Sequence, residues 1–239
     1  MVTERHDDEF IPGIHNYCDR WCERCAFSSR CRAYAIEMAI AIEGPEKALA
    51  DLEPWGDSEE GGVDVPFAAG GDDGPADEEI EEEMLRHEVE DVLAWVHPLA
   101  EAAKALADLA APLIEGAAGR SERGRPDAAA FQDPFETLAR YRFLIPAKIH
   151  RALSGRERQE PLAVGEALQS DANGSAKIAY IACAAGGEAG LRLGRLEPAL
   201  APQAAEYART ADRVLALLDE AFPSHRAFRR PGFDDPTPE

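Results

Sequence analysis

Four of the chain's five cysteines fall within fourteen residues, in the run Cys18-Asp-Arg-Trp-Cys22-Glu-Arg-Cys25-Ala-Phe-Ser-Ser-Arg-Cys31. Chance placement is a poor account of such a cluster. Four converging thiolates match the ligand number of a structural zinc site or of an iron–sulfur cluster. The plainer reading, small buried apolar side chains, fits cysteine in general but not this spacing. Cys18, Cys22, Cys25 and Cys31 are therefore the expected ligands of one metal centre, with His15 in reserve; a lone His is more often a packing or surface residue. The reading requires reduced thiols. The opening Met-Val-Thr-Glu-Arg-His-Asp-Asp-Glu-Phe is acidic and polar, unlike a basic then apolar secretory signal. A cytoplasmic setting is expected, in which clustered cysteines bind metal rather than form disulfides.

Geometry bears on which metal. A helix turning roughly 100° per residue would place His15, Cys18, Cys22 and Cys25 on one narrow face. Cys31 would then point away, so the chain must turn near Ser28-Ser29 for it to join. Seven residues of straight helix separate Cys18 from Cys25 by roughly 10 Å. That is a long reach for one zinc ion with bonds of about 2.3 Å, and an easier one for a cubane cluster. Alternatively the helix begins only after Cys18. Trp21 and Phe27 could shield a cluster from water, and Arg20, Arg24 and Arg30 could offset its negative charge, or they simply pack and solvate a helix.

The spacing Cys18-x3-Cys22-x2-Cys25 resembles the cluster triad of radical SAM enzymes. Cys22-x2-Cys25-x5-Cys31 resembles the end of the 4Fe–4S loop of endonuclease-type DNA glycosylases. Each likeness covers a few residues and none of the remaining chain. The pattern of a β/α barrel, which the first family uses, is missing. The longer first spacing and basic DNA-binding surface of the second are missing too, so no activity is carried over. Both resemblances imply a 4Fe–4S cluster; zinc is the alternative.

Other chemistry is less concentrated. His87 and Asp91 stand four residues apart, Glu83 extends their stripe, and His87-x2-Glu90 is a second pairing. His97 and His150 could approach in a bundle, but a di-iron bundle needs two Glu-x-x-His motifs and the chain has none. A solvated charged face is the simpler reading. Cys183, among Ala182, Ala184 and Ala185, reads as a small buried thiol. Tyr141, Arg142, Lys148, Asp171 and Lys177 interrupt apolar runs and could line a pocket between helices. No phosphate loop, dinucleotide fingerprint, Gly-x-Ser-x-Gly elbow or His-Glu-x-x-His motif occurs, which counts against common nucleotide-dependent enzymes, hydrolases and zinc proteases.

The elements that must position these residues read as helical. Apolar residues make up 45% of the chain and aromatics 7%, so Ala and Leu dominate, both strong helix formers. An all-α fold is expected: a bundle of about four to five helices with an N-terminal cysteine-rich helical module. The module spans residues 1–47, its helix over 32–43 closing at Gly44-Pro45. Residues 48–78, with no Lys or Arg, read as an acidic flexible linker. The bundle spans 79–222 and an irregular tail 223–239. Leu85, Val89, Val92, Leu93 and Val96 recur at helical spacing and imply one buried stripe. Pro98 should divide that helix, which resumes through Leu106, Leu109 and Leu113, and a basic glycine-containing loop follows over 116–126. A third helix fits 127–153 with an interruption before Pro146 and a stop at Ser154-Gly155. A fourth fits 175–196, capped from within residues 171–175, its 182–190 stretch small enough for a close neighbour. A fifth runs over 202–221 with Tyr207, Val214, Leu215 and Leu218 as core.

A net charge of −21 argues against a general nucleic-acid binder or an anionic-membrane binder. No uncharged run reaches the ~20 residues of a spanning helix. The expected function is a metal-binding, 4Fe–4S helical protein in electron transfer or redox sensing, its acidic surface meeting a basic protein partner. The alternatives are a zinc-stabilised helical adaptor and an enzyme with a pocket between its C-terminal helices.

Overall fold

The computed structural model describes residues 10–50, 77–120, 127–157 and 164–234. They form an all-α structure, with no strand among them. In chain order the α-helices are α1 (Arg32–Glu43), α2 (Pro45–Ala50), α3 (Asp77–Val96), α4 (Pro98–Ala118), α5 (Ala128–Glu157), α6 (Val164–Leu168), α7 (Asp171–Leu196) and α8 (Ala201–Ala221). The chain divides into two compact units, Met1–His15 with Arg20–Arg86, and Asn16–Asp19 with His87–Glu239.

In the second unit α4 packs on α5, α5 on α7, α7 on α8 and α8 on α4, closing a four-helix ring. Its axis is filled by Leu99, Leu106 and Leu113 from α4, Leu138, Ile145 and Ile149 from α5, and Ile178, Leu193, Tyr207 and Leu218 from α7 and α8, all buried. The apolar residues recur every three or four positions, so each helix turns one stripe inward. Small residues set the spacing of α7 and α8. A Cβ on Gly190 would stand 2.8 Å from Tyr207 Cδ1, and the Cβ of Ala211 already lies against Gly187. The small stretch expected over 182–190 is thus filled by a neighbouring helix, and glycine there admits the Tyr207 ring.

Several local signals read from the sequence hold. α1 has the expected bounds and ends at Gly44, whose φ of +86° suits glycine. Pro98 separates α3 from α4: Pro disfavours a helical His97 before it and fits the first turn after it. The His97 ring caps α4, its Nδ1 accepting the Leu99 N–H at 3.1 Å.

Others are corrected. α5 runs unbroken through Pro134 and Pro146 and past Ser154-Gly155 to Glu157. Burial of Ile145, Ile149, Ala152 and Leu153 on both sides of Pro146 and up to Ser154 offsets the roughly 3 kcal/mol that an internal proline costs. α7 begins at Asp171, because the Ser170 hydroxyl accepts the Asn173 N–H at 3.3 Å and caps the helix earlier than expected. α4 extends to Ala118 into the expected loop, whose residues 121–126 lie outside the described residues. Helices α2 and α3 take in the ends of the expected linker, and its residues 51–76 lie outside the described residues. In the described part of the tail a 3-10 turn at His225–Ala227 is followed by buried Phe228, and Lys177 donates to Asp234 at 2.6 Å. The largest correction concerns α3. Leu85, Val89, Val92, Leu93 and Val96 are 62, 50, 61, 55 and 63% exposed rather than buried.

Candidate metal centre

The helical stripe expected for Cys18, Cys22 and Cys25 does not form. Residues 14–31 are a chain of short 3-10 turns, Ile14–Tyr17, Cys22–Arg24 and Ser28–Arg30, before α1 begins at Arg32. Between the first two turns Arg20 takes a φ of +58°, outside the right-handed helical region. The three cysteines therefore share no helical face, and the ~10 Å rise derived for straight helix does not apply to them. The expected turn at Ser28-Ser29 is present as the third 3-10 turn.

In the first unit the turns hand on from one cysteine to the next. Cys25 N–H donates to Cys22 O at 3.2 Å, Ser28 N–H to Cys25 O at 3.4 Å and Cys31 N–H to Ser28 O at 3.3 Å. Phe27 N–H donates to Cys25 Sγ at 3.4 Å, the kind of backbone donor that stabilises a metal-bound thiolate and tunes a cluster. Cys31 is buried and extended, in the capping position of α1, where the helix dipole favours negative charge. Cys22 and Cys25 are half-buried. The Arg24 guanidinium lies 3.9 Å over the Trp21 ring, and Arg20 pairs with Glu37 at 3.3 Å. Apolar burial in this unit is thin. Among its described residues only Ile14, Cys31 and Ala48 are buried, and α1 contributes none.

Cys18 sits in the segment Asn16–Asp19, which belongs to the second unit and is held there at each neighbouring residue. Lys148 Nζ donates to Asn16 O at 2.6 Å, Tyr17 OH to Asp171 Oδ1 at 3.1 Å and Tyr141 OH to Asp19 Oδ2 at 2.9 Å. The Tyr17 ring lies against Phe228, 4.6 Å between centroids, over Gly174, where any side chain would overlap it. Arg151 grips the same Asp171 through two hydrogen bonds of 2.7 and 2.8 Å. Burial, reinforced by the Asp171 charge, pushes the Tyr17 phenol up to about 12.

Tyr141, Lys148 and Asp171, expected to line a pocket between helices, hold the segment that bears Cys18. Lys177 donates to Phe228 O at 2.5 Å and to Asp234. Burial raises the Asp234 carboxyl, but hydrogen bonds from Arg230 and from Lys177 outweigh it and keep that group well below the usual range. Arg142 donates to Ala107 O at 3.1 Å. No sequence signal distinguished anchoring from lining, because both need polar groups at a helix surface.

The secondary histidine readings separate in the same way. His87 Nδ1 lies 3.7 Å from Glu90, and Asp91 accepts from Ser154 Oγ at 3.2 Å. His97 is a helix cap, and the His150 ring packs on Trp95 at 4.3 Å. Among the described residues no group of three or more His, Cys, Asp or Glu side chains is gathered closely enough to hold a metal ion. Cys183 is fully buried, its thiol donating to Ala211 O at 3.4 Å. Burial, with the Asp212 charge adding, pushes that thiol up to about 12 and keeps it protonated.

One polar cluster escaped the sequence reading. His225, 1% exposed, sets Nδ1 2.7 Å from Phe222 O and Nε2 3.7 Å from Asp219. Arg226 chelates Asp219 and donates to Tyr180 OH at 2.8 Å. Burial lowers the His225 pKa from its ordinary 6.5. The only sequence signal was Phe222-Pro223 closing α8, which says that the chain turns there, not what it turns onto.

No protein-family model, curated protein or solved structure matches this chain.

Proposed function

We propose that this is a metal-binding helical protein in which the thiolates of Cys18, Cys22, Cys25 and Cys31 hold a 4Fe–4S cluster used in electron transfer or redox sensing. The observation that carries the reading is the thin core around three of these cysteines. Among the described residues of this module only Ile14, Cys31 and Ala48 are buried, so they contribute little apolar burial. Small modules of that kind are stabilised by a disulfide or a metal, and four cysteines within fourteen residues supply the ligands. The Phe27 N–H on Cys25 Sγ adds a donor suited to a bound thiolate. Binding here is coupled to ordering: the metal supplies cross-links that the described apolar core does not, and the binding free energy becomes folding free energy.

Zinc is the second reading, and one observation favours it. The absence of a helix through 18–25 removes the geometric objection to a single ion. In that case the metal is a structural staple and the helical bundle does the binding. Under either reading, the charge of −21 suits a basic protein partner and not a general nucleic-acid surface.

Chelation and voltammetry on the full chain separate the two. The cluster reading expects a reversible redox couple that disappears in a Cys25→Ser or Cys31→Ser variant. A chain whose N-terminal unit unfolds on chelation without any redox couple establishes zinc instead. A chain indifferent to chelators in both respects contradicts both.

A further inference from the structure

Helix α3 carries its apolar residues on the wrong side for the bundle beside it. Its inner side is short and partly polar: Ala94 is buried, the Trp95 ring packs on His150, and Asp91 accepts from Ser154. Val89, Val92 and Val96 follow one another at intervals of three and four residues, with Leu93 beside them, and all four are at least half exposed. Leu85, one turn before Val89 on the same helix, continues the stripe. Helical rotation puts this stripe opposite Asp91 and Ala94, with Trp95 to one side, so the contacts that fix α3 leave it uncovered. The intervals are those of the apolar seam by which one helix packs along another. A continuous exposed apolar stripe of this kind marks an interaction surface.

Charge decides the occupant. The twenty residues of α3 include nine acidic side chains and a single arginine, Arg86. Exposed Glu88 flanks the stripe directly. A second copy would bring an equally acidic helix and a charge of −21 against the first, and like charges beside an apolar seam act against pairing. We propose that the outer face of α3, centred on Val89, Val92, Leu93 and Val96, is a docking surface for a basic amphipathic helix of a partner protein. The partner's apolar stripe covers the valines and Leu93, and its Lys and Arg residues meet Glu88 and the acidic sequence of the helix. The inference rests on the basic-partner reading above and is independent of the metal.

The test uses the full chain and a labelled synthetic helical peptide with Leu at the seam positions and Lys on both flanks, followed by fluorescence anisotropy. A control peptide has the same seam flanked by Glu. The Lys-flanked peptide is expected to bind, more weakly as salt rises, with the Glu-flanked one at least about tenfold weaker. The double variant Val92→Gln with Leu93→Gln should weaken binding at least about tenfold with helicity unchanged, since both positions are exposed. Glu88→Lys, which leaves the apolar seam intact, should narrow the preference between the two peptides. Lys-peptide binding that is indifferent to these substitutions would place the basic partner elsewhere and overturn the α3 surface. A wild-type dimer that the double variant turns into a monomer would show that a second copy covers the face. Failure of the wild type to bind the Lys-flanked peptide at all would overturn both this surface and the basic-partner reading, leaving the metal reading untouched.

Discussion

Each cysteine's surroundings separate the thiols by role. Cys183 is buried among α7 and α8 with its thiol held protonated, whereas Cys22 and Cys25 are half-buried on 3-10 turns. Only thiolate reacts appreciably with alkylating agents. Brief iodoacetamide treatment of the chelated chain near neutral pH should therefore modify Cys22 and Cys25 and spare Cys183, as read by mass spectrometry; early modification of Cys183 would contradict its burial. His225 gives a prediction of opposite kind. Its folded pKa lies below 6.5, so the unfolded chain takes up the proton more readily than the folded one. Its contribution is complete above that ordinary value and is lost as pH falls through the lower folded value. Asp219 opposes this depression, while Arg226 and Lys177 add to it. A His225→Asn variant should lose less thermal stability than the parent between about pH 7 and pH 5, measured as the change in Tm.

At the scale of elements, packing decided what periodicity alone left open. The α7–α8 contact depends on missing side chains, and a methyl on Gly190 would press into buried Tyr207. Gly190→Ala should therefore destabilise by about 1–3 kcal/mol in chemical denaturation, despite alanine's better helix propensity. Stabilisation would show that Tyr207 has room to shift. The bounds of α1, the break at Pro98 and the all-helical class were legible because they follow from local rules of capping, proline geometry and helix propensity. The continuity of α5 through Pro146 was not, since burial of Ile145 and Ile149 is a tertiary effect. The α3 stripe shows the limit most clearly. Spacing established that Leu85, Val89, Val92 and Val96 share a face, but not whether the chain itself covers it.

Across the molecule, the two units are stabilised differently. The ring of α4, α5, α7 and α8 has a continuous apolar core, while the described part of the N-terminal unit has almost none. The cysteine cluster was visible from residue types alone. Its local geometry was not, because a positive φ at Arg20 and successive 3-10 turns leave no mark in an apolar pattern. Tyr141, Lys148 and Asp171 were likewise visible as unusual polar residues, and only their partners on Asn16–Asp19 revealed that they anchor the segment bearing Cys18. Removing metal should therefore loosen the N-terminal unit and leave the bundle folded. Circular dichroism with limited proteolysis would check this: loss of the whole helical signal on chelation would contradict the division. The most direct measurement is quantification of iron, acid-labile sulfide and zinc in the anaerobically purified full chain, with its ultraviolet–visible spectrum. A 4Fe–4S centre gives iron and sulfide in equal amounts, about four of each per chain, with visible charge-transfer absorption that is lost when Cys22 and Cys25 are changed to Ser. Stoichiometric zinc without sulfide would contradict the cluster, and a chain that binds neither metal would contradict the site itself.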